Sequence, residues 1–599
     1  VSPPPVARHS VMPLLPTHRD PVEPEGYALL PTHAAHGGSI GIGVDALWKA
    51  IQDQPLVAID GMPGCDFAAL VTALQATADA GTRIVVLDAG TALPDPDELD
   101  RRLAPYLGGD DPLFGRRCEA TILELSDPHR LADLRSRAEN AMREPSNDAV
   151  WVVGPGAAAF VPDASSVFLE LPKNEIQYRA RAGVATTFGR ADVLPPKVAY
   201  KRSYFVDWPV FERHKADLLP RLDVLADAQR DEPTVLAGEA LRTTLRSMTR
   251  GPVRARPWFE PGAWGGQWMK RTIPGLPRDP LNYAWSFELI SPENGLLLES
   301  DGVLLEVAWE WWMAHDAQAI LGSRGTRFGR SFPIRFDFLD TVDGGNLSVQ
   351  VHPRPSYIER EFGEPYTQDE TYYIFDAEPD AEVYLGLQEG VNHERLAAAL
   401  GHAQESGATI DVSELVQVHP AARHDLFLIP SGTIHCSGRG NLVLEISATP
   451  YIFTFKLYDW QRLDLDGAPR PLNVARGLDN VDFERSGRSV TEELVSKPVV
   501  IRSFEGGRTV HLPTHEEHFF DVHRHEFDTQ VEVDTHDSCH VLNLVQGERV
   551  RVRTNDGQER IVRYAETFVI PAAALRFEVV NEGAGRAMLI DAFLKPNHG

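Results

Sequence analysis

The spacing of apolar positions separates a mixed region from a later region of short strands. Between residues 46 and 245, runs such as "PLVAID", "RIVVLDAG", "ATILEL" and "AVWVVGPG" read as buried strands. They alternate with "DFAALVTALQATADAG" and "HRLADLRSRAENAMRE", which carry the period of amphipathic helices. Strands alternating with helices predict a parallel α/β domain over residues 46–245. Residues 1–45 hold six prolines before position 22, which predicts an extended arm.

After residue 250 the pattern becomes that of an all-β protein. Segments such as "GVLLEVAWEWW", "NLSVQV", "TYYIFD", "AEVYLGL", "DLFLIP" and "NLVLEIS" are short and broken by Gly, Pro and Asp. One helix, "NHERLAAALGHAQESG", interrupts them. The pattern predicts a β-sandwich or barrel over 250–490, and a second all-β domain over 495–599 with an "NDG" hairpin.

Charge and composition exclude several classes of partner. The chain has 599 residues, with Lys+Arg 58 against Asp+Glu 86, which gives a formal net charge of −28. Such an acidic chain argues against nucleic acid or an anionic membrane surface as partner, and no apolar run is long enough to predict a membrane span. A small anionic substrate stays open, because a basic pocket can exist in an acidic protein.

The cysteines and the N-terminal segment indicate a cytoplasmic protein. Four cysteines are widely spaced with no CxxC pair, so we expect reduced thiols and no disulfide framework. The Pro-rich start lacks the continuous apolar stretch of a signal peptide.

The segment "VAIDGMPGCDFAAL" at residues 57–70 has the strand–loop–helix setting of a phosphate-binding P-loop. A working loop needs G-x-x-x-x-G-K-[ST], but Asp66, Phe67 and Ala68 occupy the last three motif positions. Together with "DPLFGRRCEATI" and "YFVDWPVFERHK", the region resembles a uridine-kinase-like P-loop fold that has lost its catalytic residues. We expect a structural or oligomerisation role, with a homo-oligomer left open; residual nucleotide or effector binding is the alternative.

A candidate metal site is spread over three segments of the first β region. Gln350 and His352 are two apart in a strand and therefore point to the same face. Glu370 begins the next strand, and His435 closes the turn "PSGTIH", a P-x-G-x-x-H pattern that is a hallmark of cupins. This N/O donor set suits Zn²⁺, with Mn²⁺, Fe²⁺, Co²⁺ or Ni²⁺ also tolerated. A second "VQVHP" at residues 416–420 lacks such partners and is interpreted as a strand end.

The ordered set Gln350, His352, Glu370, His435 resembles the metal site of class I mannose-6-phosphate isomerases. "AWGGQW" and "LEISATPYIFTFKLYDWQR" extend the resemblance, which covers about 250–599. It implies a cupin (jelly-roll β-barrel) fold and interconversion of mannose 6-phosphate and fructose 6-phosphate. The proton would move through a cis-enediol, with a divalent metal stabilising the developing charge.

The resemblance also implies roles for single residues. It places Ser348, Lys456 and Tyr458 at the substrate, with Lys456 and Glu445 as catalytic groups. Lys456 stands where the family has an Arg, and Gln368 stands where it has a Lys before the metal Glu. Because these departures remove expected cationic groups, an unphosphorylated sugar stays open.

The second β region resembles a degenerate cupin. His523 and His525 imitate the H-x-H of a metal cupin, but Ala573 and Arg576 stand at the Gly and His positions of its turn, so we expect no metal there. Two alternatives to the mannose-6-phosphate isomerase stay open: an isomerase or epimerase of another, unphosphorylated sugar, and a metal-binding sugar sensor without turnover. Asp66 and Phe67 weigh against a nucleotide-dependent kinase.

Overall fold

The computed structural model describes residues 7–22, 24–79, 81–109, 111–463, 467 and 470–596. The first six residues of the predicted arm lie outside these ranges. The chain divides into two compact units. One comprises residues up to Glu23, Leu30–Met248 and Pro292–Ala317; the other comprises Pro24–Leu29, Thr249–Ser291 and Gln318–Gly599. Among the described residues, no helix is both long and apolar enough to cross a bilayer.

Strands and helices alternate up to residue 250. The strands are β1 Thr32–Ala34, β2 Gly41–Ile42, β3 Leu56–Gly61, β4 Ile84–Asp88, β5 Ala149–Val153, β6 Ser165–Glu170, β7 Val224–Asp227 and β8 Thr234–Ala237. The helices are α1 Gly43–Ile51, α2 Phe67–Thr77, α3 Pro96–Leu103, α4 Ile122–Leu125, α5 Pro128–Arg143, α6 Ala157–Phe160, α7 Lys173–Arg181, α8 Pro196–Arg202, α9 Trp208–Leu218 and α10 Gly238–Met248.

Strands predominate in the next region. They are β9 Trp258–Glu260, β10 Trp285–Leu289, β11 Gly295–Ser300, β12 Val303–Ala308, β13 Ile334–Asp340, β14 Val349–Val351, β15 Glu370–Ala377, β16 Glu382–Leu387, β17 Val416–Pro420, β18 Leu426–Ile429, β19 His435–Ser437, β20 Asn441–Ala448 and β21 Phe455–Tyr458. The helices are α11 Trp268–Thr272, α12 Trp309–Leu321, α13 Pro355–Phe362, α14 His393–Ser406, α15 Val474–Asn480 and α16 Arg488–Glu493.

The last region is built from strands joined by short turns. They are β22 Val499–Phe504, β23 Gly507–Leu512, β24 Phe520–Phe527, β25 Gln530–Asp534, β26 His540–Gln546, β27 Arg549–Thr554, β28 Glu559–Arg563, β29 Thr567–Ile570, β30 Arg576–Asn581 and β31 Ala587–Leu594. The "NDG" hairpin predicted from the sequence is confirmed, since β27 and β28 pair antiparallel on either side of it.

The first unit contains a seven-stranded sheet in the order β2-β8-β7-β6-β3-β5-β4. The five strands from β7 to β4 pair in parallel, as the alternating pattern predicts. Their apolar faces bury residues such as Val57, Ile59, Trp151 and Val167 beneath the helices. The same unit holds a three-stranded sheet, β1-β11-β12, to which residues 292–317 contribute two strands.

The second unit contains two pairs of antiparallel sheets. The first pair has the orders β18-β15-β20-β13-β10-β9 and β17-β16-β19-β14-β21; the second pair has β22-β23-β24-β31-β26-β29 and β25-β30-β27-β28. The chain is therefore a mixed α/β and all-β protein.

Two local predictions were wrong. "ATILEL" was predicted to be a strand, but Ile122–Leu125 forms the short helix α4. The reason is a capping box, in which Thr121 and Glu124 satisfy each other's backbone N–H groups and start a helix. "GVLLEVAWEWW" forms a strand only as far as Ala308, where helix α12 begins.

Candidate metal centre

Strand register places three predicted residues side by side. Gln350 in β14 pairs with His435 in β19 on one side and with Lys456 in β21 on the other. Directly paired residues of antiparallel strands project from the same face of the sheet. Gln350, His435 and the half-buried Lys456 therefore line one face, and His352 follows Gln350 at the same-face spacing.

Glu370 meets these residues from the opposite sheet. Its Oε2 lies 2.5 Å from Nε2 of His352 and 3.8 Å from Nε2 of His435. The donor atoms of His352, Glu370 and His435 all lie within 4.8 Å of one another, and the three side chains are buried. Gln350 Nε2 lies 3.2 Å from His435 Nε2, so the amide borders the same space. Within the described ranges this is the one group of His, Cys, Asp or Glu with metal-binding spacing.

The donor atoms of the cluster are of the kinds that bind a divalent metal ion. Nδ1 of His352 lies 3.1 Å from the carbonyl oxygen of Phe453, and Nδ1 of His435 lies 2.9 Å from that of Thr433. An imidazole that donates through Nδ1 presents Nε2 as a lone-pair donor, the usual arrangement around a metal. Oε1 of Glu370 is buried with no hydrogen-bond partner among the described residues. A buried, unpaired carboxylate oxygen beside two such nitrogens is the donor chemistry that a cation would satisfy.

The electrostatics of the cluster favour the metal-binding protonation states. Burial by itself raises the pKa of Glu370, but the neighbouring His352 and then His435 lower it to about 2. Burial lowers the pKa of His435 to about 4, against the raising effect of Glu370. An ionised carboxylate and a neutral imidazole are the forms that bind a metal.

The turn before His435 is linked to the strand that carries His352. The backbone N–H of Gly432 donates to the carbonyl of His352 at 3.0 Å. Gly432 has φ +88°, and a Cβ there would lie 3.0 Å from the carbonyl oxygen of Asn480, so the turn requires glycine. Asp369, the neighbour of Glu370, accepts the N–H of Ser431 at 2.9 Å. The turn thus fixes the relative positions of all three ligand segments.

Glu445, predicted to be catalytic, lies on the same face as Glu370 but is engaged with a guanidinium. It pairs with Tyr372, two residues after Glu370, and Arg335 contacts its carboxylate. Ser447 donates to Glu445 Oε1 at 2.9 Å. Sequence reasoning missed Arg335, because an alternating strand position carries no sign of an interior charge.

Arg335 also lies beside a second buried carboxyl. Its Nε is 3.2 Å from Oδ1 of Asp337, a residue that pairs with Glu445 across the strands. Burial raises the pKa of Asp337 to about 7, although Arg335 acts to lower it. Two carboxyls therefore share one cation on the face that carries Glu370.

Ser348 belongs to a basic cluster that the sequence did not predict. Its Oγ donates to Asp459 Oδ1 at 3.0 Å, and Asp459 Oδ2 accepts from Arg470 Nη1 at 2.8 Å. The same Arg470 nitrogen lies 3.4 Å from Ser348 Oγ. Arg462 pairs with Asp459 at 2.5 Å. Arg470 follows a stretch of sequence without periodic pattern, so only the structure reveals it.

Other predicted residues have different surroundings. The hydroxyl of Tyr458, predicted to contact substrate, accepts a hydrogen bond from the backbone N–H of Ile410 at 3.3 Å. In the second "VQVHP", the Gln417 amide donates to the carbonyls of Leu387 and Gly487. Gln417 and His419 are not part of the ligand cluster.

The P-loop-like segment has an occupied helix start. Asp66 is the N-cap of α2 and accepts the N–H of Ala69 at 2.9 Å. Arg179 lies 3.4 Å from the carbonyl oxygen of Gly64 and also donates to that of Gln229. The carboxylate of Asp66 therefore stands where a phosphate would use the helix N-terminus.

Comparisons with known proteins find one matching family model and several similar relatives. Residues 43–250 match the model of a domain of unknown function, DUF8485. Mannose-6-phosphate isomerase ManA of Bacillus subtilis is 28% identical over 239 residues, which is 39% of this chain and 69% of that protein. Mannose-6-phosphate isomerase of Streptococcus mutans is 28% identical over 217 residues, which is 36% of this chain and 63% of that protein.

Solved structures of mannose-6-phosphate isomerases superpose loosely on this chain. The mannose 6-phosphate isomerase of Bacillus subtilis superposes with a TM-score of 0.46 at 20% identity, over 57% of this chain and 99% of that one. A mutant of phosphomannose isomerase from Salmonella typhimurium superposes with a TM-score of 0.45 at 16% identity, over 58% of this chain and 100% of that one. By the curated relatives, the chain is similar to mannose-6-phosphate isomerases over about half of its length.

Proposed function

We propose that this chain is a metal-dependent isomerase that interconverts mannose 6-phosphate and fructose 6-phosphate. One observation carries the proposal: donor atoms of His352, Glu370 and His435 converge within 4.8 Å, with Gln350 beside them, and Oε1 of Glu370 is buried there without a partner among the described residues. The relatives named mannose-6-phosphate isomerases support the enzyme class.

The metal would be held by Gln350, His352, Glu370 and His435, and Zn²⁺ suits this set best. Bound there, a divalent cation supplies Lewis-acid stabilisation to the enediolate that forms when a proton leaves the open-chain sugar. The hydrogen bonds at Nδ1 of His352 and His435 hold the two rings in the orientation that this requires.

Proton transfer between C2 and C1 needs a carboxylate or a similar base close to the sugar. Glu445 is our candidate, and its partner Asp337 shares the cation Arg335 with it. Two carboxyls in unlike surroundings can divide the donor and acceptor roles, and a pKa of about 7 at Asp337 suits exchange near neutral pH. Lys456, beside Gln350, provides a positive charge on the ligand face.

The phosphate would lie at the end of β14. Ser348 is two residues from Gln350, which is about 7 Å along a strand. Arg470 lies beside Ser348, and Arg462 pairs with the same Asp459, so both are cationic donors that the sequence alone did not reveal. Their proximity supports a phosphorylated substrate, since guanidinium groups match phosphate oxygens well.

One observation favours the alternative, an unphosphorylated sugar. Asp459 accepts hydrogen bonds from Ser348 and from both arginines, so one of the two positive charges is already neutralised. A carboxylate at that point would repel a phosphate and accept a sugar hydroxyl. The aldose–ketose chemistry would be the same for either substrate.

The first unit is proposed to be a P-loop-kinase-like scaffold, and the paired sheets of the second unit are proposed to be two cupin barrels. The self-capped start of α2 supports a role without nucleotide. A homo-oligomer remains open.

Turnover by the metal-loaded protein tests the proposed function. The protein is purified with Zn²⁺, offered mannose 6-phosphate and free mannose separately, and assayed for ketose, with His435→Ala as control. We expect ketose from mannose 6-phosphate and none from the variant. Ketose from free mannose alone would support the alternative, and no turnover of either sugar would exclude an isomerase of these substrates.

A further inference from the structure

We propose that Arg485 is a positioning residue for the metal centre, and that Glu517 of the C-terminal β region holds it in place. This inference rests on the proposed metal site but not on the identity of the sugar. Arg485 follows α15 and comes 50 residues after His435 in the sequence, at a position where no motif predicts a role.

The guanidinium of Arg485 spans the turn that delivers His435. Its Nη1 donates to the carbonyl oxygens of Pro430 at 2.8 Å and Ser431 at 2.6 Å. The same nitrogen lies 2.8 Å from Oγ1 of Thr433, the residue whose carbonyl holds Nδ1 of His435. The Arg485 side chain therefore contacts three residues of the turn. One of them, Thr433, orients the imidazole ring of His435.

The segment that carries Arg485 also holds the His352 side of the site. Asn480 accepts from the backbone N–H of Arg354 at 2.9 Å through its Oδ1, and its carbonyl accepts from Arg354 Nε at 3.0 Å. The N–H of Asp482 donates to the carbonyl of Gly432 at 2.8 Å. Residues 480–485 thus connect the two histidine-bearing segments from outside the ligand space.

The outer end of Arg485 is held by the C-terminal β region. Its Nη2 lies 2.6 Å from Oε1 of Glu517, in the loop before β24. The Arg485 side chain is 12% exposed and that of Glu517 is 42% exposed. An arginine can bind both partners because its planar fork directs several N–H groups at once, which a lysine cannot do.

The C-terminal β region therefore has a function that its lost metal motif does not suggest. Glu517 holds the outer end of Arg485 together with Asp482, whose Oδ2 lies 3.5 Å from Arg485 Nε, and through Arg485 it supports the turn of His435. Groups that hydrogen-bond a metal ligand directly, as the Thr433 carbonyl does His435, alter metal affinity by about 10–100-fold when removed, and Arg485 acts one contact further out.

Metal affinity measured apart from turnover tests the inference. Full-length wild type and the variants Arg485→Gln, Arg485→Lys and Glu517→Gln are titrated with Zn²⁺ against a chromophoric chelator and with Co²⁺ by visible absorption. Arg488→Gln is the matched control, because Arg488 is 88% exposed and pairs with Glu492 of the same helix, α16.

We expect Arg485→Gln to weaken Zn²⁺ binding about 10-fold, the lower end of the range for direct partners of the ligands, and to change the Co²⁺ spectrum. Arg485→Lys should recover part of the affinity, and Glu517→Gln should show a smaller loss, since the turn contacts remain. The control should match wild type. Glu517→Gln removes only a half-exposed partner, so it reports on positioning even if Arg485→Gln fails to fold.

Two results would overturn the inference, and they are distinguishable. If wild type binds metal and all Arg485 and Glu517 variants bind it equally with the same Co²⁺ spectrum, Arg485 does not position the site. If wild type binds no metal, the proposed metal centre itself is wrong, and the inference is wrong with it.

Discussion

The two β regions of the second unit each bury two histidines and a carboxylate, with opposite consequences. In the first, Glu370 keeps Oε1 unpaired, while its Oε2 lies 2.5 Å from His352 Nε2, and His435 Nε2 lies 3.2 Å from the amide nitrogen of Gln350. In the second, Asp591 bonds His525 Nε2 at 3.1 Å and His540 Nδ1 at 2.8 Å. The two clusters have the same composition, but among the described residues only the first keeps a carboxylate oxygen without a partner, whereas both oxygens of Asp591 are paired.

In the second cluster, both oxygens of Asp591 and all ring nitrogens of His525 and His540 have partners within the protein. Nδ1 of His525 lies 3.1 Å from the hydroxyl of Thr509, and Nε2 of His540 lies 3.1 Å from the carbonyl oxygen of Thr535. Arg576, at the position of the missing turn histidine, instead pairs with Glu532 on the exposed face. Buried polar groups that are fully paired stabilise a fold, whereas unpaired ones need another explanation.

Exchange of a carboxylate for an amide in the first cluster has the largest expected effect. Glu370→Gln removes the negative ligand, so bound metal should be lost and kcat/KM should fall at least about 1000-fold, since a metal contributes several kcal/mol to such a transition state. Elemental analysis measures the loss of metal, and ketose formation measures the fall in kcat/KM. A variant that retains stoichiometric metal and turns over within tenfold of wild type would contradict the assignment of Glu370.

The same exchange in the second cluster should affect stability instead. Asp591→Asn breaks a buried interaction with two histidines and should lower the free energy of unfolding by about 3 kcal/mol. Urea unfolding measures it, with His536→Gln as control, because the His536–Asp534 pair is exposed and worth less than about 1 kcal/mol. Zn²⁺ affinity should not change; a large loss of affinity would show that the two clusters are coupled.

The contrast between the clusters also explains how far the sequence could predict this molecule. Strand alternation predicted that Gln350 and His352 share a face, and the resemblance to class I mannose-6-phosphate isomerases joined them to Glu370 and His435 as a proposed metal set. The same spacing rules could not show that His525 is paired internally, since its partners Asp591 and Thr509 come from other strands. Site residues, domain boundaries and the cytoplasmic location stay predictions.

Loop-borne groups were beyond sequence reasoning for a physical reason. Arg470 and Arg485 act through contacts with residues far away in the chain, and loops carry no period that shows which way a side chain points. The misassigned strand at Ile122 is different, because Thr121 and Glu124 form a T-x-x-E capping signal that is visible in the sequence.

The Ser348 cluster tests whether internal pairing always means a structural role. Arg470 is paired with Asp459, as in the second cluster, but it also lies beside Ser348 at the proposed site. Arg470→Met should lower kcat/KM for mannose 6-phosphate about 10–100-fold, the usual range for a lost hydrogen bond to a charged group. Steady-state kinetics measure this fall in kcat/KM, and Arg439→Met is the control because Arg439 is exposed. An equal loss with any unphosphorylated substrate would indicate a structural role.

The smallest expected effect is a difference in pH dependence between Asp337 and Asp591. Burial raises the pKa of Asp337 to about 7, so between about pH 4 and 7 the folded state keeps a proton that the unfolded state has released, and stability falls as pH rises. Burial opposes ionisation of Asp591, but His540 and His525 lower its pKa, so its stabilisation is present above about pH 4 and is lost at lower pH.

Unfolding of the metal-free protein between pH 4 and 8 measures the effect of Asp337. Relative to wild type, Asp337→Asn should become steadily more stable as pH rises from about 4 to 7, because the variant has no carboxyl to hold protonated. Asp591→Asn should show no such trend in that interval and should approach wild-type stability only below it. If both variants followed the same pH course, the carboxyls would be equally satisfied, and the contrast between an open and a closed cluster would fail at this pair.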